Sequence, residues 1–405
     1  MMNERTIEAL IPEKVPDLPL FVAEVKNLEF NLQGWVVIHS LGSHGSCGGV
    51  RLYPDVTREE AELLARAMTY KYCFHGITNR GGAKAVVQLP FDIPAADRAK
   101  VLRKFGEHIG SLVRSKIYQP WMDMNCSADD IAHIYQGAGI KRNPPDDSAY
   151  GTAISTFAAV MAATEYFHIP PEQCKITIEG LGRVGKYLAV EISRWGGKLI
   201  GASTRLGAVA NLKGLDVKEI FETSEKCNDL WVKENRNWQI LCREDLFSLP
   251  MNIHIPCARV HSITEKVVSN LNCRAIVPAA NVPCTSQAET NIHEKGIKLL
   301  PDFVVNSGGI IGPAPNCDDE IRNRFINDFK EMIERLLRLA ERKQTTTSIL
   351  ASLECHKNFR NLWMAGRKKM PLSKKVFRAL KYRIVHRISK KRRSRINRTI
   401  REKFT

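Results

Sequence analysis

Residues 175–203 read KITIEGLGRVGKYLAVEISRWGGKLIGAS. The order is a β-branched run, a glycine turn, an amphipathic segment with 3.6-residue spacing, then a second apolar run. That is a βαβ unit, which calls for a parallel sheet covered by helices. Within it Gly180-Leu181-Gly182-Arg183-Val184-Gly185 fits G-x-G-x-x-G, placed straight after a strand and opening a helix. Gly180 permits the tight turn, Gly182 lets backbone approach a pyrophosphate, and Gly185 allows close helix–strand contact. The helix N-terminus adds unpaired N–H groups and partial positive charge. A dinucleotide site follows. The next strand runs into Ser203-Thr204-Arg205 without the Asp or Glu that grips a ribose 2′-hydroxyl. Arg205 beside small hydroxyls suits a 2′-phosphate, so NAD(P) with a lean to NADP is expected; the competing reading makes Arg205 a solvated loop charge.

Outward from this unit, IHIPCA, RAIVPAA and KLLPDFVV continue as short β-rich segments, and residues 318–344 form a charged amphipathic helix. Upstream, residues 152–168 are Ala-rich and helical, and KRNPPDDSAYG at 141–151 is a hinge. Before the hinge, GWVVIHSLG, GGVRLYP and AKAVVQLP read as strands, and TREEAELLARAMTYKYCF and PAADRAKVLRKFGEHIGSLV as helices. The fold class is α/β: an N-terminal α/β substrate and oligomerisation domain (1–145, completed by helices at 315–365), a Rossmann domain (146–314), and a basic helical C-terminal tail (366–405).

The 405 residues, at about 150 per domain, allow two or three domains. With 44% hydrophobic and 25% charged residues the chain can build a sizeable core, which excludes wholesale disorder and fibrous classes. The net charge of +17 is unevenly placed. Residues 367–405 carry 17 Lys and Arg against Glu402 alone, leaving 43 bases and 42 acids elsewhere. Eleven cysteines without a C-x-x-C pair point to reduced thiols and no zinc site. No secretory signal and no run of about 18 apolar residues is visible, so a cytoplasmic location is expected.

The N-terminal half holds the candidate chemistry. Lys71 ends MTYK, and Lys84 follows Gly81-Gly82-Ala83, where glycines let backbone crowd a ligand and burial lowers a lysine pKa. Trp121-Met122-Asp123-Met124-Asn125 sets a carboxylate in an apolar frame, where its pKa is expected to rise. A lysine and an aspartate of shifted pKa form a proton-transfer pair.

GGVRLYP (48–54), MTYK (68–71), GGAK (81–84), WMDMN (121–125), GLGRVG (180–185), IPCA (255–258), PAANVP (278–283) and PDFVVNSGG (301–309) together resemble the Glu/Leu/Phe/Val dehydrogenase family, most of all its leucine and phenylalanine dehydrogenase branch. The resemblance implies reversible oxidative deamination of an L-amino acid to a 2-oxo acid and ammonium, in a cleft that closes by hinge motion. It implies that Lys71 pairs with the substrate carboxylate, that Lys84 activates the attacking water and that Asp123 shuttles protons. It also implies cofactor contacts at Asn281, Asn306 and Ser148 and around Cys257 and Ala258, and a homo-oligomer. Glutamate dehydrogenases carry a lysine where this chain has Cys47, just before Gly48-Gly49, and a serine where it has Pro313. Without those hooks a second buried carboxylate is unpaired, so a neutral apolar or aromatic substrate is expected.

The tail spaces Val376, Leu380, Ile384, Ile388, Ile396, Ile400 and Phe404 at multiples of four among basic residues. Such a helix suits an anionic membrane or nucleic acid phosphates, and a solvated extension is the other reading. The rival to an enzyme is a catalytically silent dinucleotide-binding module recruited by this tail.

Overall fold

The computed structural model describes residues 14–142, 148–234 and 236–369. Residues 143–147 of the hinge and nearly all of the basic tail lie outside them. The first sheet comprises β1 (Phe21–Asn27), β2 (Leu32–Ile38), β3 (Ser46–Leu52), β4 (Gly81–Val87) and β5 (Tyr118–Met122), in the order β1-β2-β4-β3-β5. β3 runs parallel to both neighbours, while β1 and β2 are antiparallel. Period-two alternation sends Ala83, Ala85, Val87, Val50 and Leu52 into one core, against α2 (Ala95–Arg114) and α3 (Ala128–Gly137). Cys47, Gly49, Arg51, Lys84, Trp121 and Asp123 therefore fall on the opposite face, which α1 (Arg58–Phe74) covers.

α1 starts where the sequence dictates: the Thr57 side chain accepts the Glu60 N–H, and Glu59 and Glu60 sit in the first turn. Glu60 and Lys71 are eleven residues apart, just over three full turns, so both project from the buried stripe. This stripe supplies two charged groups to the functional face.

After α4 (Ser148–Tyr166), the second sheet takes β6 (Lys175–Glu179), β7 (Lys198–Thr204), β8 (Gly207–Ala210), β9 (Gln239–Leu241), β10 (Ile253–Pro256), β11 (Ala275–Ile276) and β12 (Lys298–Leu299), in the order β12-β11-β10-β6-β7-β8-β9. β12 through β7 are parallel, and the β8 and β9 edge is antiparallel. Helices α5 (Arg183–Trp195), α6 (Val217–Cys227), α7 (Glu265–Asn270) and α8 (Ser286–Glu294) form the connections. The chain leaves β6 toward β7 on one side and later returns to β10 on the other. That reversal is where open α/β sheets bind ligands.

KLLPDFVV departs from the β-rich reading. Its strand stops at Leu299, Pro301 ends it, and Asp302–Val305 is a helical turn, α9, followed by α10 (Gly308–Ile311). Two long helices, α11 (Asp319–Arg342) and α12 (Thr347–Lys369), then pack against α4 and against α1 respectively, returning the chain to the first sheet. Among the described residues no helix is long and apolar enough to cross a membrane, and no group of His, Cys, Asp and Glu could hold a metal ion.

Candidate active site

The parallel pairing of β3 with β4 and β5 brings three charges from distant segments together. Lys84 Nζ donates to Asp123 Oδ2 at 2.8 Å, and Arg51 Nε donates to the same oxygen at 2.8 Å. Arg51 Nη1 also reaches Glu60 Oε1 at 2.6 Å. Lys84 and Arg51 are each only 3% exposed. Two buried cations therefore meet two carboxylates, a balanced set in which losing one member leaves a stranded charge.

The surroundings set each protonation state. Burial lowers the Lys84 pKa, opposed by Asp123, so its neutral, basic form is within easier reach. Burial alone would raise Asp123, but Arg51 and Lys84 outweigh it and hold the carboxyl far below its ordinary range. This corrects the expected rise at Asp123. The apolar neighbours in WMDMN do not decide its environment, because the alternation of β5 points Asp123 at the cations of β3 and β4. Gly49 permits that approach: a Cβ there would lie 2.6 Å from the Asp123 Cβ.

Lys71 is 6% exposed, and its Nζ makes one long hydrogen bond, 3.4 Å, to the Asn306 carbonyl. Burial lowers its pKa to about 8, with Asp302 pulling the other way. Among the described residues no carboxylate forms an ion pair with it. A buried ammonium lacking a contact anion is suited to receive one. Replacing Lys71 with Met is therefore expected to raise the KM for a carboxylate-bearing substrate roughly 10- to 100-fold, the worth of one charge-assisted hydrogen bond. The same variant should gain stability at pH 7. The lowered folded-state pKa makes the buried charge a cost that is full below pH 8 and fades between pH 8 and 10.5, so removing it stabilises by about 1–3 kcal/mol. Steady-state kinetics and thermal melts at pH 7 check both, and a fall in Tm with unchanged KM would contradict the assignment.

The expectation that glycines beside Lys84 leave room for a ligand is also corrected. A Cβ at Gly82 would strike the Thr69 N at 2.3 Å, so this glycine lets α1 seat against β4. Gly48 likewise abuts the Ala83 carbonyl. Cys47 is buried next to Tyr72, and burial pushes its thiol up to about 11. Ser148 opens α4 against Gly309, and the Pro313 carbonyl lies beside Gly151 on the same helix.

On the other wall, Gly180 adopts φ +94°, a conformation that favours glycine, and a Cβ there would meet the Cys257 carbonyl and Ala258 within 3.1 Å. Gly185 packs against the Gly180 carbonyl, while a Cβ on Gly182 would find no atom within 4 Å. Gly182 is also the N-cap of α5 and supplies no side chain to its free N–H groups. An open cradle at an uncapped helix N-terminus fits a pyrophosphate. The Ser203 Oγ accepts the Gly180 N–H at 3.1 Å, fixing the turn, and the Thr204 hydroxyl donates to the Asp229 carbonyl. Val184 packs inward against the second core. Arg205 is already engaged: its Nε is 2.8 Å from Asp229 Oδ2 and its guanidinium lies over the Phe91 ring at 4.8 Å.

Asn306 donates through Nδ2 to the Ala280 carbonyl at 2.9 Å and to Asn281 Oδ1 at 3.2 Å, and its own Oδ1 is buried without a partner. Beside Asn281, Val282 holds φ +50°, strained for a β-branched residue, with its N–H on Asp302 Oδ2 at 2.7 Å. Two further arginines join the second domain to the first. Arg183 Nη2 donates to the Asp123 and Cys126 carbonyls, both at 3.1 Å. Arg259 clasps Asp55 at 2.8 Å and Glu60 at 3.3 Å, over the Tyr53 ring.

Arg51, Glu60, Arg259 and Asp302 escaped the sequence reading. Arg51 stood within GGVRLYP, and its alternation with Gly49 and Cys47 was the available signal.

A glycine-cradled dinucleotide turn, whose Arg183 reaches the Asp123 carbonyl of a buried lysine–aspartate pair, is the equipment of a nicotinamide-dependent oxidoreductase. The chain matches the Glu/Leu/Phe/Val dehydrogenase dimerisation domain over residues 21–138 and the Glutamate/Leucine/Phenylalanine/Valine dehydrogenase model over 146–365. It belongs to this family of amino acid dehydrogenases, which act on the CH–NH2 group with NAD or NADP. It is 28% identical over 343 residues to a phenylalanine dehydrogenase from Lysinibacillus sphaericus, covering 80% of this chain and 84% of that one. A glutamate dehydrogenase from Thermotoga maritima is 26% identical over 328 residues, 75% of this chain and 77% of its own. Among solved structures, a hetero-hexameric glutamate dehydrogenase from Thermus thermophilus in a leucine-bound form shares the fold, with TM-score 0.74 at 20% identity (88% of this chain, 91% of that chain). L-tryptophan dehydrogenase from Nostoc punctiforme superposes with TM-score 0.57 at 21% identity (89% and 99%).

Proposed function

We propose that the protein catalyses the reversible oxidative deamination of a neutral, apolar or aromatic L-amino acid to its 2-oxo acid and ammonium. The observation that carries this reading is the buried Lys84–Asp123 pair at 2.8 Å with Lys71 left without a contact anion. The Gly180–Gly185 turn and Asn281 and Asn306 would hold the NAD(P), which when bound accepts the hydride from the α-carbon. Lys71 binds the substrate carboxylate. The substrate ammonium then adds a cation near Asp123, which favours release of the proton from Lys84. Asp123 takes a proton from that ammonium as the hydride leaves, neutral Lys84 takes one from the water that attacks the imino carbon, and Asp123 returns its proton to the departing nitrogen. The proton belongs to the pair, because Arg51 keeps it off Asp123 at rest. Deamination should accordingly speed up with rising pH until Lys71 loses its charge.

The neutral-substrate reading rests on Cys47 and Pro313, neither of which can pair a second carboxylate. For the cofactor, Arg205 and the hydroxyls of Ser203 and Thr204 support NADP. Asp229 competes for the same guanidinium, so the expected preference is within about tenfold, near 1.4 kcal/mol. The domain roles, with substrate on residues 1–145 and cofactor on 146–314, and assembly through the first domain belong to the same proposal. The tail at 366–405 is proposed to touch an anionic surface. The test is kcat/KM for leucine, phenylalanine, tryptophan and glutamate with each cofactor. The expected result is a neutral amino acid ahead of glutamate, and glutamate in first place would refute the substrate assignment.

A further inference from the structure

A second cavity, of about 560 Å³, opens in the N-terminal domain, and none of the groups assigned to catalysis lines it. It lies where β3, β4 and β5 begin, whereas Arg51, Lys84 and Asp123 come later along the same three strands. His44 stands two residues before β3, Arg80 immediately before β4, Lys116 just before β5 and Gln119 within it. Arg114, the last residue of α2, and Arg142 complete the cationic lining. No Asp or Glu lines the cavity, and among the described residues none of Arg80, Arg114, Lys116 or Arg142 has an ion pair.

Local roles do not account for this charge. Arg114 Nη1 donates to the Ala138 carbonyl at 2.7 Å, beyond the end of α3, and Arg142 Nη1 donates to the Tyr135 hydroxyl at 3.3 Å. Two helix C-termini meet here, each worth about half a negative charge. Against them stand four permanent cations, so about three positive charges stay uncompensated. Arg80 is the most telling, because its Nη1 is buried and has no hydrogen-bond partner. An unpaired buried guanidinium nitrogen is costly and calls for an acceptor. Lys116, which lines this cavity, is also held at φ +58°, a strained backbone for a non-glycine residue.

We infer that the cavity is a binding site for a small multivalent anion, a phosphate ester or a polycarboxylate, distinct from the dinucleotide and substrate sites. Guanidinium groups bind either head group in bidentate fashion, and the volume suits a molecule no larger than a mononucleotide. Gln119 Nε2 donates to the His44 carbonyl at 3.1 Å and keeps a second N–H beside the charges.

The test is isothermal titration of the full chain at low ionic strength with inorganic pyrophosphate, AMP and citrate in separate arms, with and without saturating NADP. Two variants are compared, Arg80→Gln and the double variant Arg114→Gln with Lys116→Gln, the latter at exposed positions that leave amino acid turnover unchanged. The expected result is binding of at least one anion that persists under NADP and weakens at least tenfold in both variants. The phosphoryl arms against the citrate arm tell which head group is preferred. Equal affinity in wild type and both variants, displacement by NADP, or no binding in any arm would overturn the inference. Because the readout is heat of binding, it stands or falls independently of the substrate assignment.

Discussion

Asp123→Asn should lower kcat for deamination by about 10²–10⁴-fold, the range for losing a positioned acid–base group, and should also destabilise the protein. Both effects have one cause. Asp123 Oδ2 accepts from Lys84 and Arg51 at 2.8 Å each, and a neutral amide leaves two buried cations facing one another. Breaking a buried charge pair by removing one partner costs about 3–5 kcal/mol. The structure also fixes how the loss varies with pH. Burial already lowers the Lys84 pKa and Asp123 holds it up, so in the variant it falls further. The unfolded chain then holds the Lys84 proton where the folded one does not, and stability rises with pH up to the ordinary lysine range. Melts of wild type and variant from pH 6 to 10 check this: the Tm gap should narrow on the alkaline side. A gap that widens with pH would contradict the network.

Arg51→Met is the second large effect, at a residue the proposed chemistry does not use directly. Arg51 joins Asp123 to Glu60, and Glu60 is also clasped by Arg259 from across the cleft. Removing it leaves Glu60 buried with only that longer 3.3 Å contact, and a loss of about 3–5 kcal/mol is expected from denaturant unfolding. The kinetic signature separates a positioning role from a purely structural one. Without Arg51 the Asp123 carboxyl loses the stronger of the two cations that depress its pKa, so the acid limb of the pH–rate profile should move upward. Arg51→Lys should restore part of the stability and move the limb back. An unchanged pH profile in Arg51→Met would reduce Arg51 to a structural brace.

Much of the architecture was legible because local signals agreed with the fold. Thr57 caps α1, the glycine turn sits between β6 and α5, and the Cβ-sized gap at Gly182 is the opening the motif calls for. The strand β1 carried little signal, because it is an edge with only Val25 buried. In PDFVV, the β-branched residues favoured a strand, yet Pro301 and the carboxylate of Asp302 start a helical turn there. At the site, residue types were readable and their partners were not. Nothing near Asp123 in sequence announces Arg51, 72 residues earlier, or Lys84, and the sign of the Asp123 shift depends on both. Arg205 shows the same limit from the other direction, since its partner Asp229 arrives only after the β8 edge and α6. Pairings across strands are set by register, which only the folded sheet displays.

The central claim is that Lys84 is the base of an amino acid dehydrogenase. Its most direct test follows the absorbance of reduced nicotinamide for wild type and Lys84→Met over a panel of L-amino acids, with NAD and NADP separately. Wild type should reduce cofactor with at least one neutral amino acid. Lys84→Met, whose Asp123 keeps Arg51 as partner, should stay folded and lose about 10²–10⁴-fold in kcat. Undiminished turnover in Lys84→Met would contradict the account. So would a wild type inert toward every amino acid, and toward 2-oxo acids with ammonium in reverse.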